Sequence, residues 1–203
     1  MSLFKGKKVL VTGGAGFIGS ALVKRLVSEG AQPRVIDNLW RGSLKNLVTP
    51  EGAEVINLKR SFTKADLTDY RKCLKLLRGA DWVYHLADVV GGVQFVFSNE
   101  SFVFRQNLII NSNVLSACVE NGVPNYIYVG TACSYPKQLQ MSYGIAALKE
   151  DQAYPAEPES SYGWSKLMGE YEAELAQRSG KIRVGLLRLH NVYGPGSYFE
   201  GDR

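Results

Sequence analysis

Short runs of β-branched and other apolar residues alternate along this chain with longer segments in which apolar positions recur every three or four residues. The short runs predict strands, and the longer segments predict helices. The predicted strands are residues 8–11, 34–36, 54–58, 82–86, 126–129 and 183–187, and the predicted helices are residues 17–29, 69–77, 101–121 and 162–179. Strands that alternate with helices are typical of βαβ units, so we expect an α/β fold with a doubly wound parallel sheet.

A glycine-rich turn joins the first predicted strand to the first predicted helix. Gly13, Gly16 and Gly19 follow a G-x-x-G-x-x-G spacing, which is typical of dinucleotide-binding Rossmann folds. The first glycine permits a tight turn, the second lets the backbone approach a pyrophosphate at the helix N-terminus, and the third allows close helix–strand packing. Taken alone, the spacing is a weak signal, because glycines in a turn often serve the turn only.

The end of the second predicted strand adds a carboxylate to this turn. Asp37 lies about 20 residues beyond the glycines, where an acidic residue accepts hydrogen bonds from the adenosine ribose hydroxyls. A carboxylate repels a 2′-phosphate, so we expect NAD rather than NADP, although the nearby Arg41 favours the opposite choice. Asp66 has two interpretations, a contact with the adenine edge or a carboxylate near the start of the next helix.

Tyr162 and Lys166 are four residues apart in the last predicted helix, so they share one helix face. A tyrosine titrates near 10 in water, and it acts as a base near neutral pH only where a positive charge favours the phenolate. Lys166 and an oxidised nicotinamide ring are two such charges. The spacing alone also fits an ordinary surface pair.

With these motifs the chain resembles the extended short-chain dehydrogenases, the NAD-dependent epimerase/dehydratase family, over essentially its whole length. The resemblance rests on the glycine-rich turn, residues 85–87, Asn107, Thr131, Tyr162 with Lys166, and residues 191–195. It implies that Tyr162 is the catalytic base, that Thr131 hydrogen-bonds the sugar 4-hydroxyl, and that Lys166 also holds the nicotinamide ribose. It further implies that Asn107 supports the active-site backbone.

The resemblance also implies two sets of binding residues. The cofactor set is Gly13, Gly16, Phe17, Ile18, Gly19, Asp37, Asn38, Asp66, Leu67, Leu86, Ala87, Asn107, Tyr162 and Lys166. The substrate set is Gly91, Gly92, Thr131, Ala132, Cys133, His190 and Asn191.

The residues after Thr131 distinguish members of this family from one another. Dehydratases carry an Asp-Glu pair there, whereas this chain has Ala132 and Cys133, so dehydration is not expected. A cysteine at this position resembles two subfamilies that act on GDP-hexoses, the GDP-mannose 3,5-epimerases and the GDP-fucose synthases. Residues 91–99, 155–158 and 190–191 resemble the 3,5-epimerases more closely.

Cys133 also has a chemical reason to be in the catalytic set with Thr131, Tyr162 and Lys166. Once C4 of a sugar is a ketone, the hydrogens on C3 and C5 are acidic, and a thiol of pKa about 8.5 can exchange them when its surroundings lower that pKa. The other interpretation of Cys133 is a small buried apolar residue, which is our assignment for Cys73 and Cys118.

One position departs from the 3,5-epimerase pattern. That pattern is Trp-Lys-Gly-Gly-Arg, with the lysine as the second acid/base group, and the corresponding residue here is Glu200. A 4-epimerase, a C4 oxidase or an epimerase-reductase like the GDP-fucose synthases therefore stays open beside the 3,5-epimerase-like reaction. A non-catalytic NAD-sensing scaffold is the alternative from another class.

The length and the net charge of the chain limit its possible domain organisation and ligands. The chain ends soon after residues 194–196, so we expect residues 1–203 to be one NAD-binding domain with the catalytic residues, and the substrate-capping segment to be largely absent. The net charge of +5 is spread over scattered Lys and Arg residues, which suits an anionic nucleotide sugar and argues against a nucleic-acid surface.

The remaining expectations concern metals, membranes and assembly. The three cysteines are far apart and the two histidines lack ligand-type neighbours, so neither a disulfide framework nor a metal site is expected. No apolar stretch approaches membrane-spanning length, so we expect a cytoplasmic protein with no membrane partner. The family resemblance implies a homodimer through residues 101–121 and 162–179.

Overall fold

The computed structural model describes residues 2–141 and 147–197. The strands are β1 (Lys8–Thr12), β2 (Gln32–Asp37), β3 (Phe62–Lys64), β4 (Trp82–His85), β5 (Asn125–Thr131) and β6 (Arg183–Leu189). The α-helices are α1 (Phe17–Ser28), α2 (Leu58–Ser61), α3 (Tyr70–Leu77), α4 (Val93–Ser98), α5 (Glu100–Glu120) and α6 (Ser161–Arg178). All the paired strands are parallel, in the order β3-β2-β1-β4-β5-β6. This is the strand order of a doubly wound Rossmann sheet, so the predicted fold class is confirmed.

Alternate residues of the central strands supply two hydrophobic layers. In β1, Val9 and Val11 pack with residues of α1, whereas Leu10 packs on the opposite face with residues of α3, α5 and α6. Each of these three side chains is 1% exposed or less. Because both faces of the sheet are covered in this way, the loops at the carboxyl ends of the strands form the edge that is open to a ligand.

The third strand differs from the prediction. Residues 54–58 do not form a strand of the sheet, and β3 instead pairs with residues 35–37 of β2. The Val55 N–H donates to the Leu47 carbonyl oxygen over 2.9 Å, and Ile56 is buried in the same cluster as Val9. The apolar residues of this segment therefore serve packing beside the sheet, and a three-residue strand is too short to show a pattern of its own.

The described parts of the segment between β5 and α6, residues 132–141 and 147–160, contain no α-helix or strand. They include short 3₁₀ turns at Lys137–Leu139 and Glu150–Ala153. Helix α4 was not predicted, because six residues give too little periodicity. None of the described helices is both long and apolar enough to cross a membrane.

Candidate functional site

The glycine-rich turn between β1 and α1 is packed too closely for larger residues. Gly13 has φ of +67°, in the left-handed region, and a Cβ added there would lie 2.8 Å from the Ala87 backbone nitrogen. A Cβ added at Gly19 would overlap the Gly13 carbonyl oxygen. Helix α1 starts at Phe17 without a side-chain cap, so its first N–H groups face the turn with no side-chain acceptor. This arrangement fits the binding of a phosphate group.

Asp37, the last residue of β2, closes the other side of this turn. Its Oδ2 accepts a hydrogen bond from the Ala15 N–H at 3.0 Å, and its Oδ1 accepts one from the Leu39 N–H at 2.8 Å. Burial raises the pKa of this carboxyl group, and the two N–H donors oppose that shift. Each oxygen keeps a second lone pair, so the carboxylate can also accept from the hydroxyls of a ribose.

The other predicted cofactor residues near β2 and β3 differ in accessibility. Asn38 is exposed, and its side-chain oxygen accepts from the Trp40 N–H. Asp66 is also exposed, and its Oδ1 accepts from the N–H and the hydroxyl of Thr68. The cap of α3 is Asp69 rather than Asp66. Leu67 is 4% exposed and belongs to the core, so only its backbone is placed to meet a cofactor.

A buried chain of hydrogen bonds links the end of β1 to α6. The Thr12 hydroxyl accepts from the Leu86 and Ala87 N–H groups and therefore donates to His85 Nδ1, 2.7 Å away. His85 Nε2 then donates to the Asn111 side-chain oxygen at 3.0 Å.

The same chain of hydrogen bonds continues through β5. The Asn111 amide donates to the Tyr128 hydroxyl at 3.0 Å, and that hydroxyl donates to the Lys166 carbonyl oxygen at 3.2 Å. Burial, followed by the charge of Lys166, lowers the pKa of His85 to about 3, so its ring is neutral. His85 is thus a structural link between the end of β1, next to the glycine-rich turn, and helix α6.

The predicted catalytic side chains meet where β5 ends and α6 begins. Thr131 ends β5, and its hydroxyl accepts from the Cys133 N–H at 3.3 Å in the 3₁₀ turn that follows. A Cβ added at Gly163 would overlap the Cys133 carbonyl oxygen, so helix α6 lies directly against this turn. Cys133 itself is exposed, which contradicts its interpretation as a buried packing residue.

The other two cysteines are buried, as predicted. Burial raises the pKa of Cys73 to about 12 and also raises the pKa of Cys118. Neither thiol is therefore suited to proton transfer near neutral pH.

Tyr162 lies beside Thr131, and the pKa of its phenol is held well above 10. The largest cause is burial, followed by the charges of Asp88 and Cys133, and a hydrogen bond with the Thr131 side chain opposes them. The phenol of Tyr162 therefore needs a nearby positive charge if it is to ionise and act as a base near neutral pH.

Lys166 forms an ion pair that the sequence did not reveal. Its Nζ lies 2.9 Å from Asp88 Oδ2, and the two side chains are only 4% and 5% exposed. The ammonium also lies over the Tyr128 ring, 4.7 Å from its centroid. Asp88 was missed because a single carboxylate after a strand matches no motif, and its partner is distant in sequence.

Asn107 holds the loop that follows β4. Its side-chain oxygen accepts from the Val89 N–H at 2.7 Å, and its amide donates to the Val89 carbonyl oxygen at 3.0 Å. The amide also lies 3.4 Å from the hydroxyl of Ser165 in α6. This is the geometry that a residue supporting the active-site backbone requires.

A second buried ion pair, also missed from the sequence, lies behind the turn after Thr131. Arg188 of β6 contacts Glu170 Oε2 of α6 through both Nε and Nη2, each at 2.8 Å. Arg188 also donates to the Glu150 carbonyl oxygen at 2.9 Å and stacks on the Tyr135 ring. The pair thus connects α6 and β6 with Tyr135 and Glu150 of the segment between β5 and α6.

The predicted substrate residues lie at the same edge of the sheet. Thr131 pairs with Leu189, so His190 and Asn191, which follow β6, emerge next to Ala132 and are exposed. Gly91 and Gly92 lie between β4 and α4. Gly91 is packed against the ring of Phe95, and Gly92 is the N-cap of α4. Glu200 lies outside the described residues.

Within the described ranges, no group of three or more His, Cys, Asp or Glu side chains is placed to hold a metal ion. The site is built instead from a glycine-rich turn, a buried carboxylate and a Tyr/Lys pair at the carboxyl edge of the sheet. The sheet and this turn define a dinucleotide-binding Rossmann protein. The chain belongs to the NAD dependent epimerase/dehydratase family, which it matches over residues 9–203, so the family predicted from the motifs is confirmed.

Individual relatives agree with this family. The chain is 36% identical over 196 residues to GDP-mannose 3,5-epimerase 1 of Oryza sativa subsp. japonica, a match that covers 97% of this chain and 49% of the rice protein. It is 35% identical over 196 residues to GDP-mannose 3,5-epimerase of Arabidopsis thaliana, covering 97% of this chain and 50% of that protein. The chain therefore spans about half the length of these curated relatives.

A solved structure shows the same architecture. The UDP-glucose 4-epimerase of Thermus thermophilus, in complex with NAD, matches with a TM-score of 0.79 at 30% sequence identity. The match covers 96% of this chain and 58% of that chain.

Proposed function

We propose that this chain is the cofactor-binding and catalytic part of an NAD-dependent nucleotide-sugar epimerase that works through a transient 4-keto sugar, as a GDP-mannose 3,5-epimerase does. The observation that carries the proposal is the meeting of Thr131, Cys133 and Tyr162 at the carboxyl edge of the sheet, with Lys166 behind them. The similarity to GDP-mannose 3,5-epimerases of rice and Arabidopsis supports a GDP-hexose as the substrate.

The residues of the turn fit NAD. Gly13 and Gly19 leave no room for a side chain, α1 offers uncapped N–H groups to the pyrophosphate, and Asp37 offers acceptors to the adenosine ribose. At the other end, Asp88 Oδ2 is buried and lies 2.9 Å from the Lys166 ammonium, so Lys166 is held in place beside the cleft. When bound, NAD supplies a hydride acceptor and returns the hydride, so there is no net redox change.

The chain's own residues manage the protons at C4. Tyr162 removes the proton from the C4 hydroxyl as the sugar is oxidised and returns it on reduction, while Thr131 hydrogen-bonds the same oxygen. The positive charges of Lys166 and of the oxidised nicotinamide favour the phenolate that this step requires.

Cys133 is the group that we assign to proton transfer at C3 or C5. Its exposure at the edge of the cleft, beside Tyr162, allows a thiol to reach the carbon next to the ketone. The neighbouring residues His190 and Asn191 emerge from the next strand and are proposed to line the sugar site.

Solvent exchange in heavy water tests this function. With GDP-mannose as substrate, the intact protein is expected to place deuterium at C3 or C5. The Cys133→Ala variant should still form NADH transiently but lose exchange by about a hundred- to ten-thousand-fold, the usual contribution of a general acid or base. Undiminished exchange in Cys133→Ala would exclude the thiol from this role.

The same experiment separates the alternatives. NADH formation without deuterium at either carbon would favour a 4-epimerase or a C4 oxidase, which the structural match to a UDP-glucose 4-epimerase makes the second candidate. Net consumption of reduced cofactor would favour an epimerase-reductase like the GDP-fucose synthases. NAD binding with no NADH formed from any nucleotide sugar would favour a non-catalytic NAD-sensing scaffold.

The position of Asp37 predicts a preference for NAD over NADP. A buried carboxylate accepts from ribose hydroxyls and repels a 2′-phosphate, so calorimetry should give clearly tighter binding of NAD. In Asp37→Ser the preference should shrink, because the repulsion is removed while a hydroxyl can still accept. Equal affinities in the wild-type protein would contradict this prediction and would point to the nearby Arg41.

We also propose a homodimer. Helices α5 and α6 pack against each other and leave Phe102, Ile109 and Leu175 among the exposed large apolar side chains. Apolar residues on the outer side of a helix pair support the assembly that the family resemblance implies.

A further inference from the structure

The buried carboxylate of Asp88 forms an ion pair with Lys166 of α6 and has no part in the proton transfers described above. We propose that Asp88 is a positioning residue that acts through Lys166 to keep the nicotinamide end of the cleft electrically neutral, and thereby favours the oxidised form of the cofactor. This inference rests on the NAD-dependent function proposed above.

The backbone fixes Asp88 between the glycine-rich turn and α6. The two residues before it, Leu86 and Ala87, both donate their N–H groups to the Thr12 hydroxyl, at 3.1 and 3.2 Å. Ala87 also touches the backbone at Gly13 so closely that no side chain fits between them. Asp88 is therefore the next residue after two that contact β1 and the glycine-rich turn. Its side chain contacts Lys166 of α6.

The pair is held in an environment that makes an isolated charge costly. Both side chains are about 95% buried, and Asp88 Oδ2 lies 2.9 Å from the Lys166 ammonium. Burial raises the pKa of the Asp88 carboxyl group, and Lys166 and the Val89 backbone oppose that shift. Burying a carboxylate costs desolvation free energy, and an apolar residue of similar size would fill the same space without that cost. Packing alone therefore does not explain a carboxylate at this position. Removing Asp88 alone would leave the ammonium as an unpaired buried charge.

The surrounding groups do not replace Asp88 as a counter-charge. The titratable groups coupled to the pair are His85, Tyr126, Tyr128, Tyr162 and Glu170. Burial raises the pKa of all three phenols, which are therefore neutral. His85 is neutral, because burial and Lys166 lower its pKa to about 3. Glu170 is already paired with Arg188, and burial keeps the phenol of Tyr162 protonated. The charge on Lys166 is thus balanced by Asp88.

This balance matters because the two forms of the cofactor differ by one charge at the nicotinamide ring. The oxidised ring is positive and the reduced ring is neutral. Replacing Asp88 with a neutral residue leaves a net positive charge at the site, which repels the oxidised ring and has little effect on the reduced one. For an unbalanced unit charge near the ring in a partly buried site, the expected change in relative affinity is roughly tenfold.

The test compares the affinities of the intact, cofactor-depleted protein for NAD⁺ and NADH by calorimetry. Asp88→Asn is expected to weaken NAD⁺ binding relative to NADH binding by roughly tenfold, whereas a loss of structure would weaken both forms equally. The double variant Asp88→Asn with Lys166→Met removes both charges, so its NAD⁺/NADH affinity ratio should return to that of the wild type. Should Asp88→Asn fail to fold, Asp88→Ser serves in its place, since the smaller side chain lets water reach Lys166.

Asp81→Asn is the matched control. Asp81 comes just before β4, at the opposite edge of the sheet, where its Oδ2 accepts from the Lys8 N–H at 2.8 Å. The same loss of charge there should leave the affinity ratio unchanged. An unchanged ratio in both Asp88 variants, or an equal change in Asp81→Asn, would overturn the role of Asp88. Failure of the wild-type protein to bind either form would instead overturn the proposed NAD-dependent function.

Discussion

Replacing Tyr162 with phenylalanine is expected to lower turnover of a nucleotide sugar by about a hundred- to ten-thousand-fold, the range that general acid–base groups contribute. The change removes one hydroxyl and keeps the ring, so the packing of α6 should be preserved. NAD affinity should fall much less than turnover, because Tyr162 is one of many predicted cofactor contacts whereas its hydroxyl is the proposed base for the sugar. Steady-state turnover and calorimetric NAD binding in the intact protein measure the two effects separately.

The pH dependence of the wild-type protein gives a second check on Tyr162. Burial, Asp88 and Cys133 all raise the pKa of the phenol, and a base must be ionised to act. Turnover should therefore rise with pH as the phenolate forms, and Tyr162→Phe should abolish that rise. Tyr70→Phe is the control, since it removes a surface hydroxyl that donates to Glu120. A loss of less than tenfold in Tyr162→Phe would assign the base to another group.

The sequence predicted correctly those parts of the fold in which a local residue pattern determines the local structure. The strand, glycine-rich turn and helix from Lys8 to Ser28 were predicted closely, and Gly30, the residue after the predicted helix, has the positive φ of +78° that is common just beyond a helix C-terminus. The prediction failed at residues 54–58. Their apolar side chains are buried beside the sheet, and no local pattern distinguishes such burial from strand pairing.

The residues of the candidate site that belong to sequence motifs could be predicted. Thr131, Tyr162 and Lys166 were identified by spacing and resemblance. The structure brings Tyr162 next to Thr131 and pairs Lys166, one turn further along α6, with Asp88. Asp88 and the pair formed by Glu170 and Arg188 were not identified, because their partners lie on different elements. Their roles depend on which strands are neighbours, and a single sequence does not contain that information directly.

The ion pair between Glu170 and Arg188 predicts a large effect on stability. Glu170 is 2% exposed and Arg188 is 15% exposed, so Glu170→Ala leaves a largely buried guanidinium without its carboxylate. Breaking a buried pair in this way costs about 3–5 kcal/mol of unfolding free energy. The loss should also loosen the turn that contains Cys133, since Arg188 contacts the Tyr135 ring and the Glu150 carbonyl oxygen. Urea unfolding followed by circular dichroism measures the stability.

Glu174→Ala provides a matched control one turn further along the same helix. Glu174 also pairs with an arginine, Arg178, at 3.1 Å, but both side chains are at the surface and are four residues apart. Such exposed helical pairs contribute only about 0.3–0.5 kcal/mol, so this variant should unfold close to the wild-type midpoint. The two variants make the same substitution in the same helix, so the difference between them reports the buried pair between α6 and β6 against an exposed pair within α6. Similar losses in Glu170→Ala and Glu174→Ala would mean that water reaches Arg188, and that the pair does not hold the Cys133 turn in place.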